Sequence, residues 1–318
     1  MSLPTIHVLF ENPAWMPPIV DALEAGGFPV NLIHVEEGLI DPAEVPAEGI
    51  WWNRMSPSSH TRGHDASVGF TREILNWVEA HGRRVINGSH ALELEVSKLR
   101  QEVALRRHGI QTPRTVLAIG RAQMLELAKT FDGPFITKHN QGGKGLGIQM
   151  FGSAEQLASY IDSDSYDAGP NGQVVLQEYI AAPEPFITRV ELVGGVFQFA
   201  MRSNTESGFM LCPSDACQSE VPDVCPADGS AAPDKFTASP ITADDPLVKQ
   251  MEAFCQAERL EIAGIEFVED GDGNRYVYDI NGTTNYNLAF GASVGVDGWG
   301  AMTRYLLSQV VPEVAKAA

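Results

Sequence analysis

The stretch GIEFVEDGDGNRYVYDING, Gly264–Gly282, is two apolar runs joined by a tight turn. The glycines of GDGN supply positive-φ positions, so the runs pair as an antiparallel hairpin. Glu266 lies in the first run and Asp279 thirteen positions later in the second. Neighbouring strands can then turn both acids toward one cleft. Asn281, two residues past Asp279, shares its strand face. Burying such acids without a cation costs several kcal/mol. Two carboxylates and an amide oxygen are hard ligands that suit Mg²⁺, which keeps phosphate oxygens and water as its remaining partners. Glu266, Asp279 and Asn281 are therefore expected to hold metal. The competing reading is a half-buried hairpin whose polar residues face solvent.

Upstream, NQGGKGLGI, Asn140–Ile148, places four glycines around Lys144. Without Cβ atoms the backbone N–H groups can turn inward and form an anion cradle. Lys144 adds a point charge that suits phosphate. No Ser or Thr follows the lysine and no helix is launched, so this is not a Walker A loop. It joins two strands, which suggests a flap over phosphates; a plain glycine hairpin is the alternative.

Around these motifs the chain alternates strand-like and helix-like segments. Residues 1–90 carry strands at TIHVLF, PVNLIHV, GIWWNR and RRVING, with helical spacing at 15–25 and 67–80. That βαβ rhythm predicts a small parallel-sheet, Rossmann-like domain. Residues 91–110 read as helical, as do 121–131. Strands follow at QVVLQEYI, EPFITRVELV and GVFQFAMRS. The predicted class is α/β, becoming α+β in the C-terminal part. The predicted units are 1–90; 91–165, with the glycine loop; and 166–318, with the paired acids.

The chain has 318 residues, with 41 acidic against 22 basic side chains and a net charge of −19. Nucleic-acid backbones are bound by Lys/Arg clusters, so no nucleic-acid partner is expected. No apolar run is long enough to cross a membrane. The first residues lack the basic and cleavage regions of a signal peptide. A cytoplasmic protein with reduced thiols is expected, possibly as a homo-oligomer.

Two further segments attract attention. WWNRMSPSSHTRGHD, Trp51–Asp65, follows the third strand of the first domain, at the strand edge where open α/β sheets bind ligands. Arg54, Ser56, His60 and Arg62 are expected to bind substrate, the arginines by gripping a carboxylate, with a structural Ω-like loop as the alternative. His60 and His64 stand four apart, as zinc ligands on a helix do, but Pro57 and Gly63 argue for a loop. CPSDACQSEVPDVC groups Cys212, Cys217 and Cys225, with ordinary reduced thiols as the first expectation and a metal or disulfide as alternatives. Asn285 is expected either to reach substrate or to cap the next helix.

Lys138 ending a strand, GGKGLG after it, VLQEYI with an acid at Glu184 beyond, ITRVELVGG, Arg202, and then Glu266, Asp279 and Asn281 follow one another in a telling order. In this order and spacing the chain resembles the ATP-grasp superfamily of carboxylate–amine ligases. TRVELVGGVFQFAMR is most similar to its RimK-type glutamate-ligase branch. The resemblance runs over about residues 90–310. It implies that Lys98 and Lys138 hold ATP phosphates and that the loop containing Gly142, Gly143, Lys144, Gly145 and Gly147 covers them. It implies that Glu178, Tyr179 and Ile180 line adenine and that Glu184 binds ribose. Glu266, Asp279 and Asn281 would hold two Mg²⁺. Arg202, with Arg189 and Lys144, would stabilise the transferring phosphoryl group. Ile187 is a departure, since RimK-type enzymes carry an acid there. The implied function joins a small-molecule carboxylate, activated as an acyl phosphate, to an amine. Alternatives are glutamate addition to a protein tail, a small-molecule kinase, or a non-catalytic ATP-binding module.

Overall fold

The computed structural model describes residues 2–143, 145, 147–206, 235–286 and 288–316. Lys144 and the segment bearing Cys212, Cys217 and Cys225 lie outside the described residues. Three sheets organise the chain. The first has strand order β2-β1-β3-β4, from β1 (Ile6–Phe10), β2 (Val30–His34), β3 (Ile50–Arg54) and β4 (Arg84–Ile86), all parallel. Helices α1 (Pro17–Ala25) and α2 (Ser67–Ala80) supply the crossovers. β1 and β3 are buried along their whole length, as interior parallel strands must be when helices cover the sheet.

The second sheet holds β5 (Thr115–Ile119), β6 (Phe135–His139), β7 (Gln149–Phe151) and β8 (Gln173–Glu178), in the order β5-β8-β6-β7 and antiparallel. Helices α5 (Arg121–Ala128) and α6 (Ala154–Ile161) pack on it around Phe135, Phe151, Leu157 and Leu176. The pairing of this sheet runs past residue 165, because β8 hydrogen-bonds to both β5 and β6. The third sheet, β11-β10-β9-β12-β13, comprises β9 (Phe186–Val193), β10 (Val196–Asn204), β11 (Phe236–Ala238), β12 (Ile262–Glu269) and β13 (Arg275–Asn281). Helix α7 (Pro246–Ala257) covers one face. The chain continues through α8 (Leu288–Ser293) and α9 (Gly298–Lys316).

The first and third sheets share a core. Ile6, Val8 and Trp52 pack in one cluster with Val193, Phe199, Ile262 and Met302. Asn87 fastens the same seam. Its Nδ2 donates to Ile262 O at 2.7 Å and Gly282 O at 2.8 Å, and its Oδ1 accepts from Glu261 N at 2.9 Å and Ile262 N at 3.2 Å. Its φ of 50° lies in the left-handed region, where Asn is tolerated better than most residues.

The segment expected to be helical over 91–110 is two helices, α3 (Ser89–Glu95) and α4 (Lys98–Arg107). Ser97 breaks them: its extended backbone and a hydroxyl that accepts from Arg100 N make it an N-cap. The break turns Lys98 to the first position of α4, where it faces β13.

Candidate active site

The three sheets meet at an open cleft. Its floor is the third sheet. Glu266 on β12 and Asp279 on β13 are direct register partners. A bulge follows: Phe267 pairs with Val277, so Tyr278 is the extra residue. Tyr278 OH donates to Glu266 Oε2 at 3.1 Å. Asn281 stands opposite Gly264 and turns its Nδ2 toward Gly264 O at 3.4 Å. The hairpin expected from the sequence thus sets both acids on neighbouring strands in one cleft.

Cations interleave with these acids. Lys98 Nζ donates to Asp279 Oδ1. Lys138, the fourth residue of β6, is buried and stands 5.3 Å from the Tyr278 ring. Burial holds the Lys138 ammonium down to about 8, with Asp279 drawing it back up. Burial also raises Glu266 above the usual carboxylate range, against Arg189. Arg189 donates to Glu191 Oε1 at 2.6 Å, Glu266 Oε1 at 2.9 Å and Thr284 Oγ1 at 2.9 Å. A side chain at Gly264 would overlap its guanidinium, so glycine there makes room for it. Glu95 lines the cleft as well, accepts from Gly282 N, and is pushed by burial up to about 7.

The roof comes from the second sheet. Gly142, Gly143, Gly145 and Ile148 line the cleft below β6 and β7. The His139 ring fills the base of this loop, and a Cβ at Gly147 would lie 2.7 Å from it. Gly143 approaches the first domain: a Cβ there would sit 3.6 Å from Pro57 and 3.7 Å from the Ser58 Cβ. At the inner end, Glu178, Tyr179 and Ile180 form the wall. Tyr179 N–H is taken by Pro134 O at 3.0 Å, whereas the N–H of Ile180 has no partner among the described residues.

Donor chemistry fits a divalent cation. Two carboxylates stand in register on paired strands, and their proximity raises the cost of charging both together. A cation between them would remove that cost. The lysines and the glycine turn above fit a polyphosphate.

Residues 96–210 match the family model described as RimK-like ATP-grasp domain. D-cycloserine synthetase DcsG superposes with a TM-score of 0.67 over 96% of this chain and 99% of its own, at 16% identity. The chain has the ATP-grasp fold. D-alanine–D-alanine ligase from Bacillus anthracis, solved with ATP, shares this ATP-grasp architecture at a TM-score of 0.62 and 13% identity, over 99% of this chain and all of its own. A probable alpha-L-glutamate ligase 2 of Pseudoalteromonas atlantica is 29% identical over 136 residues, 42% of this chain. The match spans 44% of that relative's length, so the chain covers less than half of it.

Several expected site residues stand elsewhere in the ATP-grasp frame. Arg54 is 2% exposed and outside the cleft's lining, and its guanidinium donates to Thr284 O and Asn285 Oδ1. Arg62 is also spent, paired through two nitrogens with buried Glu11 at 2.7 and 2.6 Å and lying over Trp15. His60 sits in a short 3-10 turn, Ser59–Arg62, with its ring 6.4 Å from His139. The cleft's lining does not include it. His64 turns instead to Glu11, at 2.7 Å. Arg202 stands behind Phe186, 4.1 Å from that ring, and Phe186 lines the cleft in its place. Glu184 is exposed at the rim, outside the lining residues. Ser56 and Asn285 do line the cleft. Glu95, Trp15, Ser58 and Thr283 line it too, without having been singled out. Ser97 as an N-cap was the available signal for the Glu95–Lys98 corner. Glu191 was also legible, two residues from Arg189 and so on its strand face.

Proposed function

We propose that the protein is an ATP- and Mg²⁺-dependent ligase that joins a carboxylate to an amine, with amino-acid or small-peptide substrates, acting in the cytoplasm. The observation that carries this reading is Glu266 opposite Asp279, with Lys98 and Lys138 beside them beneath a glycine turn. A carboxylate is a poor electrophile. Moving the γ-phosphoryl of ATP onto it, with ADP leaving, gives an acyl phosphate; amine attack at the carbonyl then expels phosphate. Such chemistry asks for positioning and charge stabilisation rather than a protein nucleophile. Lys98 and Lys138 would hold the phosphates, and Ile180 N–H would meet the adenine edge. Glu266, Asp279 and Asn281 would hold Mg²⁺, whose positive charge neutralises the β- and γ-phosphates. Arg189, which lines the cleft, and Lys144 would stabilise the transferring group. The glycine turn would exclude water, which otherwise hydrolyses an acyl phosphate.

An ADP-release screen of amino acids and small carboxylates in pairs, with mass spectrometry of products, tests this. Amine-dependent ADP release with a product heavier by one condensed amine supports ligation. Release that needs no amine would instead make the protein a kinase, and none with any pair would leave a nucleotide-binding module.

A further inference from the structure

Arg54 and Asn285 together settle what kind of atom one part of the cleft presents. Arg54 makes no salt bridge to a described residue; its NH1 and NH2 rest on Thr284 O, both at 3.0 Å, and NH2 also on Asn285 Oδ1 at 2.6 Å. Flat against it lie Trp52 at 4.9 Å and Trp299 at 5.7 Å. Arg54 Nε, Trp52 Nε1 and Trp299 Nε1 are buried donors with no acceptor among the described residues. Guanidinium and indole nitrogens only donate. The atom that Asn285 turns to this seam must therefore be its oxygen; a flipped amide would set NH₂ against N–H. Its Nδ2 is thereby directed away from the seam. Asn285 lines the cleft, is 8% exposed, and its Nδ2 has no acceptor among the described residues.

Beside it the first domain repeats the arrangement. Ser58 Oγ accepts from Arg62 NH1 and NH2, both at 3.3 Å, and lies 2.9 Å from Ser56 Oγ. Both serines line the same cleft. In each case a cation stands one layer back and a neutral donor faces the ligand. Neutral donors select a lone-pair oxygen by geometry, where a bare arginine would take any anion, the ATP phosphates included.

We propose that Asn285 is a specificity-determining donor to an unreacted carboxylate or a carbonyl oxygen of the substrate, and that Arg54 is the positioning residue that fixes its amide. Naming that oxygen as a substrate's rests on the ligase reading above.

The test is calorimetric titration of the full chain, loaded with AMPPNP and Mg²⁺, with L-glutamate, L-isoglutamine and L-glutamine. Asn285→Asp puts an acceptor where the donor was. It is expected to weaken L-glutamate binding at least tenfold while AMPPNP affinity stays within twofold, which also shows that the variant is folded; Asn285→Ser, a smaller donor, should lose less. If isoglutamine binds the wild type weakly, the α-carboxylate is the partner; if glutamine does, the side-chain carboxylate is. If both bind like glutamate, a carbonyl oxygen is the partner. Arg54→Met, or Arg54→Lys should that variant not fold, is expected to narrow the discrimination that Asn285→Asp destroys, again with AMPPNP affinity unchanged; full discrimination in the Arg54 variant overturns its positioning role. Asn285→Asp binding glutamate within twofold of wild type, or wild type binding none of the three, overturns the proposal. Failure of the ligase reading looks different: ADP is never released, whatever Asn285→Asp does to binding.

Discussion

At the scale of single residues, Glu266 and Asp279 carry the most weight. Replacing each by its amide keeps the shape but removes the charge that would hold a divalent cation. Asp279→Asn and Glu266→Gln are each expected to lower ADP release more than a hundredfold, with the far-ultraviolet circular dichroism of the native chain. Turnover within threefold of wild type in both would remove the metal role. These two acids were legible in the sequence because a four-residue turn ties them together, and local geometry settles the rest. The arginines of the first domain were not. Arg54 finds its acceptors 230 and 231 residues away, and Arg62 its carboxylate 51 residues away. A sequence shows that a guanidinium is present; only folding shows whether its donors are already taken.

At the scale of elements, the break between α3 and α4 is what aims Lys98, and Glu258 buttresses it. That carboxylate, just past α7, accepts from His90 of α3 at 2.6 Å, from Arg107 of α4, and from His108 at 2.8 Å. Although burial opposes its charge, these partners hold it down to about 2. A carboxylate depressed in the folded chain stabilises it fully above the ordinary value near 4.5, and this contribution is lost as pH falls toward 2. Urea unfolding at pH 7 and pH 3 should therefore show Glu258→Gln costing stability at pH 7 and much less at pH 3. An equal loss at both would show that the charge is not what braces the helices. The helical content of this region was readable from apolar spacing. Its division was not, because the 3.6-residue pattern carries across Ser97 almost unbroken, and the cap's only local mark is one serine.

Taken whole, the molecule sets three sheets around one cleft, two of which share a core. The first and third sheets share a core, and Asn87 bonds across them through both amide atoms. Asn87→Ala removes those buried bonds and leaves alanine at a φ of 50°. Stability should fall by roughly 4 kcal/mol, at about 1 kcal/mol for each of the four bonds, in urea unfolding; a loss under 1 kcal/mol would mean the seam holds without it. The second sheet has its own core and meets the first domain where Gly143 nears Ser58. A Cβ at Gly143 would stand 3.7 Å from the Ser58 Cβ, close to the ~3.8 Å that a disulfide spans. In the pair Ser58→Cys with Gly143→Cys, oxidation should therefore latch the mouth. Nucleotide trapped inside would not exchange, nucleotide outside would not enter, and dithiothreitol would restore both. Fluorescent-nucleotide exchange that ignores the redox state would mean that ligands come and go by another route.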